Sequence, residues 1–220
     1  MRNTCIYISP LGAVTQRYAK LHMFDIDIAS HGVRLQESAS TEPGAALTPP
    51  FAAPFGMLGL QVCFDLRFPE PARWLVARGA EVLSYPSAFT VPTGKAHWEL
   101  LLRARAVEGQ CWVAAAAQGG RHNKKRVSWG QALIVDPWGT VVAQCSGGGE
   151  EAREEVCFAD VDLEMVKKVR AEVPLKRRLW GFSRLFWKVV RKLTITATFI
   201  QRFREASEYS SLGILHTHNY

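Results

Sequence analysis

Apolar and polar residues alternate over residues 4–9 and again over 13–19, with Pro10-Leu-Gly12 between the two runs. A period of two is that of half-buried strands, and the Pro/Gly pair marks a tight turn joining them. A continuous apolar run from Met57 to Val62 reads as a short buried strand. The pattern turns helical from about Glu70 to Arg78, and Glu81 to Tyr85 reads as the next strand. Strand, helix, strand is the rhythm of a βαβ unit and predicts a mixed α/β fold. A longer helix is expected from about Ala96 to Gln110, with Leu101, Leu102, Ala106 and Val107 on one stripe. Cys111 to Ala117 is a run of small and β-branched residues, read as a buried strand. Trp129 to Val135 and Thr140 to Gln144 predict a hairpin around Asp136-Pro-Trp-Gly139, where Pro fixes φ and Gly accepts φ > 0. Val156 to Val161 is expected as a strand and Leu163 to Ala171 as a short helix. Residues 29–56 are rich in Ser, Ala, Pro and Gly and read as a long loop. Gly147-Gly-Gly149 and the acidic run after it read as a flexible one.

Composition narrows the class. The chain has 220 residues, 48% hydrophobic and 21% charged, which suits one globular core. No run of eighteen apolar residues occurs, so no membrane-spanning helix is expected. The opening Met-Arg-Asn-Thr-Cys-Ile is strand-like and too short in apolar residues for a signal peptide. The net charge is +7, but residues 176–204 alone carry nine Lys/Arg and no Asp/Glu. The basic character is therefore a property of the C-terminal tail, and no nucleic-acid partner is expected. Cysteines stand at 5, 63, 111, 145 and 157, with neither a CxxC pair nor a Cys/His ligand spacing, so no zinc site is expected. Cys111, Cys145 and Cys157 fall in strand-like runs and are expected in the core. An odd set of unpaired thiols suits a reducing compartment, the cytoplasm or the mitochondrial matrix.

Candidate chemistry centres on Cys63, in Gly59-Leu-Gln-Val-Cys63-Phe-Asp65-Leu-Arg67-Phe-Pro69-Glu70. A thiol at the end of a strand, just before a helix, is held rigidly and faces the free N–H groups of the turn. Such donors favour a thiolate and can stabilise an oxyanion. On this pattern alone a buried, inert cysteine remains an equal reading. Three further segments stand in order around it. They are Tyr18-Ala-Lys20-Leu-His22-Met-Phe24-Asp25-Ile-Asp27, then Tyr85-Pro-Ser87-Ala-Phe89, then Gly94-Lys-Ala-His97-Trp98-Glu99-Leu-Leu-Leu-Arg103-Ala-Arg105. The set closely resembles the nitrilase superfamily of carbon–nitrogen hydrolases over about residues 3 to 178. Ala117-Gln118-Gly-Gly-Arg121-His122-Asn-Lys124-Lys125-Arg126 and Val135-Asp136-Pro137-Trp138-Gly139-Thr140 look most like the branch of deaminated glutathione amidases.

The resemblance implies an α-β-β-α four-layer sandwich, present here in part, and no cofactor. It implies a small-molecule amide substrate, a homodimer, and a Glu–Lys–Cys triad acting through a thioester, a chemistry of metabolite repair. By resemblance Cys63 is the nucleophile, Lys20 the electrostatic partner of the oxyanion, Glu37 the support of that lysine, and the N–H of Phe64 an oxyanion donor. The family's general-base glutamate precedes the lysine motif. Here the nineteen residues before Lys20 contain no Glu and no Asp, so the chain is expected to lack the N-terminal third of the domain. A catalytically silent chain acting only through a partner or a membrane is the alternative.

His97 and Trp98 are expected to pack at a helix start, and Glu99 to face the helix dipole in its first turn. Arg103 and Arg105 suit either a substrate carboxylate or structural ion pairs. Asp65 and Arg67 are expected to shape the turn. The basic residues 121–126 read as a loop, either a solvated face or a binding site for an anionic peptide-like substrate. Residues 1–178 form the expected hydrolase-like domain. In the tail 179–220, Phe182, Leu185, Phe186, Val189, Val190, Leu193 and Ile200 fall near one helical face, with Arg184, Lys188, Arg191 and Lys192 mostly off it. A basic amphipathic helix of this kind can sit on an anionic membrane or in a partner's groove, or the tail has no selected role. Residues 205–220 are polar and expected to be disordered.

Overall fold

The computed structural model describes residues 1–28 and 33–176. Met1–Pro174 form one compact unit; the second, Leu175–Tyr220, lies outside the described residues beyond residue 176, and with it the tail helix expected there.

Two antiparallel strands open the unit, β1 (Thr4–Ile8) and β2 (Val14–Ala19), as the alternation predicts. The segment expected as one long loop carries more order than its composition suggests. Within it β3 (Asp25–Ile28) pairs with β4 (Val33–Gln36), a 3-10 turn covers Glu37–Ala39, and β5 (Phe51–Ala53) joins the main sheet. These strands are only three or four residues long, too short for periodicity to stand out against Ser, Pro and Gly.

The main sheet follows as β6 (Gly56–Leu60), helix α1 (Pro69–Val76), β7 (Val82–Ser84), helix α2 (Val91–Gly109) and β8 (Trp112–Ala115). Strands β6, β7 and β8 run parallel, and the two helices are their crossovers, as parallel pairing requires. The hairpin β11 (Leu133–Val135) and β12 (Val141–Gln144) extends the sheet, giving the order β12-β11-β8-β7-β6-β5. Helix α3 (Leu163–Glu172) closes the described chain, capped by the Asp162 carboxylate, which accepts the Glu164 N–H at 2.8 Å.

Both sheet faces are covered, which explains the near-continuous apolar runs of β6 to β8. On one face Leu75, Leu83, Tyr85, Leu102, Ala106, Val113, Leu133 and Val135 pack with α1 and α2. On the other, Leu58, Leu60, Val62, Val82 and Trp112 pack with Val166 of α3 and Tyr18 of β2. Tyr18 therefore anchors the β1–β2 pair against the end of β6, and the residue two positions later is Lys20.

Several boundaries differ from the expectation for physical reasons. Helix α2 starts at Val91, five residues early, because Pro92 sits in its first turn, where a missing N–H costs nothing. Glu99 is consequently in the interior of the helix and not in its first turn. The run 129–135 breaks at Gly130 and Gln131, both at positive φ (81° and 63°), so Trp129 ends one strand and Leu133 begins another. The basic segment is a hairpin and not a loop, β9 (Gly119–Asn123) with β10 (Arg126–Trp129). Residues 156–161 form no strand; Val156 and Phe158 point outward, 75% and 84% exposed. Alternation assigns faces, but a strand also needs a neighbouring edge.

Candidate active site

Open α/β sheets place their sites beyond the carboxyl ends of parallel strands. Here a cavity of about 1000 Å³ opens at those ends. After β6 come Val62 and Cys63, after β7 Pro86, Ser87 and Ala88, and after β8 Ala116, Ala117 and Gln118, all lining it. A bridge between Ser87 and Ala117 holds the last two walls together. The opposite wall is Lys20, Phe24, Gln36 and Glu37, with Asn3, Thr4 and Cys5 of the first strand region.

Cys63 begins a 3-10 turn, Cys63–Arg67, and has φ 47°. The left-handed region costs a non-glycine residue roughly 1–2 kcal/mol. That conformation is held by the surroundings: the Cys63 N–H donates to the Pro86 carbonyl at 3.1 Å. From this turn Cys63 lines the cavity and packs against the edges of both core clusters. With the Cys63 N–H committed, the N–H of Phe64 is the next donor along the turn.

Lys20 is 2% exposed, and its ammonium is bonded to the Glu37 carboxylate. Its backbone is pinned on both sides: its N–H donates to the Asn3 carbonyl at 2.9 Å, and its carbonyl accepts the Gly44 N–H at 2.8 Å. The approach at Gly44 is so close that a Cβ there would lie 2.3 Å from the Ala19 oxygen. Glu37 also accepts the Phe24 N–H at 2.7 Å and the Asn3 side-chain amide at 3.3 Å. Burial pushes the Glu37 carboxyl up, but the bonds from Lys20, Phe24 and Asn3 outweigh it and hold the group below its ordinary range. The β3–β4 hairpin delivers Glu37 to Lys20, with Phe24 just before it and Glu37 just after.

Beneath these groups lies Asp65, fully buried. Its carboxylate accepts the Tyr18 hydroxyl at 2.8 Å, the His22 N–H at 3.1 Å and the Val62 N–H at 3.1 Å, and meets His22 Nδ1 at 2.8 Å. Burial, then the Asp65 charge, raises the Tyr18 phenol well above its ordinary value, so it stays a donor. Asp65 shapes the turn as expected, through these bonds and not through Arg67. Arg67 donates instead to His97 Nδ1 at 2.9 Å. The histidine accepts at that nitrogen and is therefore neutral; its pKa is lowered by burial and by Arg67.

The remaining candidates take structural places. Trp98 is buried and donates to the Gln131 carbonyl at 2.7 Å. Arg103 pairs with Glu99 at 3.5 Å, and Arg105 with Glu108 at 2.7 Å and the Leu66 carbonyl at 3.1 Å. None of these lines the cavity. Cys111 is fully buried, and burial pushes its thiol up to about 12. Cys145 and Cys157 are only half-buried, short of the core position expected for them. Of the basic residues of the β9–β10 hairpin, His122 and Arg126 line the cavity. Among the described residues no cluster of His, Cys, Asp and Glu could hold a metal ion, and Glu37 is the one carboxylate among the cavity's lining residues. The roles of Asn3, Cys5 and Phe24 were not legible as motifs; the alternation of the first strand, which turns Cys5 inward with Tyr7, was the available signal.

The sequence profile described as carbon-nitrogen hydrolase matches residues 1–171. A Schizosaccharomyces pombe protein called probable hydrolase nit2 is 51% identical over 177 residues, 80% of this chain and 63% of that protein. The deaminated glutathione amidase of Homo sapiens is 49% identical over 173 residues, 79% of this chain and 51% of that protein. The crystal structure of the Caenorhabditis elegans NitFhit protein superposes with a TM-score of 0.74 at 50% identity, covering 80% of this chain and 42% of that one. The chain spans about half the length of the curated relatives it matches.

Proposed function

The chain belongs to the carbon-nitrogen hydrolase family, and we propose that it is a cysteine-dependent amidase acting on an ω-amide such as that of deaminated glutathione. The observation that carries this reading is a buried ammonium, Lys20, held by Glu37 on the wall of the cavity that Cys63 enters.

In this reading Cys63 Sγ attacks the amide carbon, and the C=O electron pair moves to oxygen. The oxyanion forms between Lys20 Nζ and the Phe64 N–H. Lys20 is almost shielded from water, which strengthens its hydrogen bond to the oxyanion even though Glu37 offsets part of its charge; losing one such donor costs about 10²–10³ in kcat. Collapse breaks the C–N bond, the amine leaves with the thiol proton, and a thioester remains on Cys63. Water then releases the free acid and restores the thiol. For deaminated glutathione the products are the free keto acid and the remaining peptide.

Glu37 is engaged with Lys20 and the Phe24 N–H, so its role is to orient the lysine. The competing reading is a chain with the family fold and no turnover. Intact-protein mass spectrometry after brief exposure to a deaminated glutathione analogue separates the two. A Cys63-dependent acyl adduct or hydrolysed product, absent in Cys63→Ala, is expected. No adduct and no product from the folded protein would overturn the amidase reading.

A further inference from the structure

Two half-buried thiols, Cys145 and Cys157, converge beside the edge strand of the main sheet, and neither lines the Cys63 cavity. The register of β11 with β12 pairs Ile134 with Ala143 and Leu133 with Gln144. The next pair along is Ala132 opposite Cys145, whose N–H donates to the Ala132 carbonyl at 2.8 Å. Side chains two positions apart share a face of a strand, so Cys145 stands on the face of Ile134. Ile134 and Val161 pack against the same core cluster, so the segment that ends at Val161 runs along that face. It brings Cys157 to the same carbonyl, with Sγ 4.0 Å from the Ala132 oxygen. Its neighbours Val156 and Phe158 are exposed, as alternation about an inward Cys157 requires. Two further bonds lay the end of β12 beside this segment: the Ser146 N–H donates to the Glu155 carboxylate at 2.6 Å, and the Arg153 N–H to the Ser146 hydroxyl at 3.1 Å. Burial first, then a hydrogen bond to Cys157, pushes the Cys145 thiol up to about 11. Cys145 therefore keeps its proton and shares it with the Cys157 sulfur.

Between the two thiols the chain braces the β9–β10 hairpin. The Ser146 carbonyl accepts the Gln131 N–H at 2.9 Å, and the Gly148 N–H donates to the Trp129 carbonyl at 3.1 Å. Gly147 bridges Gly130, and Glu150 of the 3-10 turn Gly149–Glu151 pairs with Arg121. Side chains alternate across β9, so Arg121 faces this brace while His122, with Arg126 of β10, lines the cavity. Residues 152–162, which carry Cys157, lie in neither helix nor strand. The brace is thus tied to the hairpin at one end and has no ladder of backbone bonds at the other.

We propose that Cys145 and Cys157 are a reversible thiol–disulfide pair whose disulfide fastens the brace behind the β9–β10 hairpin to the edge of the sheet. The oxidant is a small disulfide such as glutathione disulfide. The Cys157 thiolate attacks one of its sulfurs and expels one glutathione thiolate, which takes up the proton that Cys157 lost. Cys145 then gives up its proton and attacks the Cys157 sulfur of the mixed disulfide, and the second glutathione leaves with that proton. Two protein thiols lose two electrons and two protons, and one glutathione disulfide becomes two glutathiones. In a reducing compartment excess glutathione runs the same steps backwards. The pair stands apart from Cys63 and does not depend on amide turnover.

The test uses Cys63→Ala protein, which removes the cavity thiol. The folded chain is equilibrated with glutathione and glutathione disulfide, alkylated with iodoacetamide and mapped by mass spectrometry. Cys145 and Cys157 should lose labelling together, in joined fragments lighter by two hydrogens, and dithiothreitol should restore both. With Cys145→Ser added, Cys157 should carry one glutathione instead. The joined protein should unfold at a urea midpoint about 1 M higher than the reduced one, because the link restricts the unfolded chain. The midpoint of the Cys145→Ser protein should not respond. Glutathione retained on Cys157 while Cys145 is present, free labelling of both thiols, or a midpoint that the link leaves unmoved would overturn the pair.

Discussion

The Tyr18 hydroxyl donates to the Asp65 carboxylate at 2.8 Å across 47 residues of sequence, and both groups are out of contact with water. Tyr18 precedes Lys20 by two positions and Asp65 follows Cys63 by two. With the His22 and Val62 N–H groups on the same carboxylate, this one side chain ties the lysine segment to the thiol turn. The lysine segment and the thiol turn are thus fixed relative to one another through a buried carboxylate.

Asp65→Asn should break that hub while keeping its shape. An amide offers one acceptor oxygen where the carboxylate offers two, so at least one buried donor faces an NH₂ group. The expected loss of stability is about 2–3 kcal/mol, read as a lower urea midpoint. At temperatures where the variant remains folded by circular dichroism, acylation of Cys63 should still fall. Full acylation in a destabilised protein would show that Asp65 matters to the fold alone.

Glu37→Gln should leave Lys20 as a buried cation without its counterion, at a cost of about 3 kcal/mol. The pH dependence has a definite sign. The Glu37 carboxyl titrates in the folded state below its ordinary value of 4.5, after burial is outweighed by its bonds. Its contribution is fully present above that value and is lost as pH falls through the folded pKa. Stability of the parent protein should therefore drop as pH is lowered below about 4.5, and the variant should show a shallower acid limb. Parallel acid limbs in denaturant titrations would contradict this.

Gly94 faces Trp129 so closely that a Cβ would lie 2.2 Å from the Trp129 Cβ. Gly94→Ala, a favourable change by helix propensity alone, should destabilise by about 1–3 kcal/mol because α2 must back away from β10. The tryptophan near-ultraviolet signal and the denaturation midpoint read both effects; a more stable variant would refute the close approach.

Thiol labelling should divide the cysteines by environment. Cys63 opens to the cavity, whereas Cys111 is fully buried, with a thiol pushed up to about 12 by that burial. Iodoacetamide at pH 8 should modify Cys63 in the native protein and reach Cys111 only after unfolding. Equal native rates, mapped by mass spectrometry, would exclude the packed core around Cys111.

The sequence by itself determined the α/β class and the β6–turn–α1 setting of Cys63, because periodicity and turn chemistry are local properties of the chain; Lys20 was singled out by the family resemblance alone. The first hairpin and the β11–β12 hairpin were legible for the same reason. What only the tertiary structure decided was non-local. Glu37, named as the lysine's support by the resemblance, lies in a stretch whose composition reads as loop, and it is the β3–β4 pairing that carries it to Lys20. Five basic residues in one segment look alike in sequence, and strand pairing alone turns His122 and Arg126 toward the cavity and Arg121 toward Glu150. The alternation of residues 156–161 predicted a strand that has no partner edge. The Asp65 hub could not be read from its motif, since its donors Tyr18 and His22 arrive 47 and 43 residues away in sequence. A side chain's partners across such distances follow from how the sheet stacks its neighbours, and no local pattern encodes that.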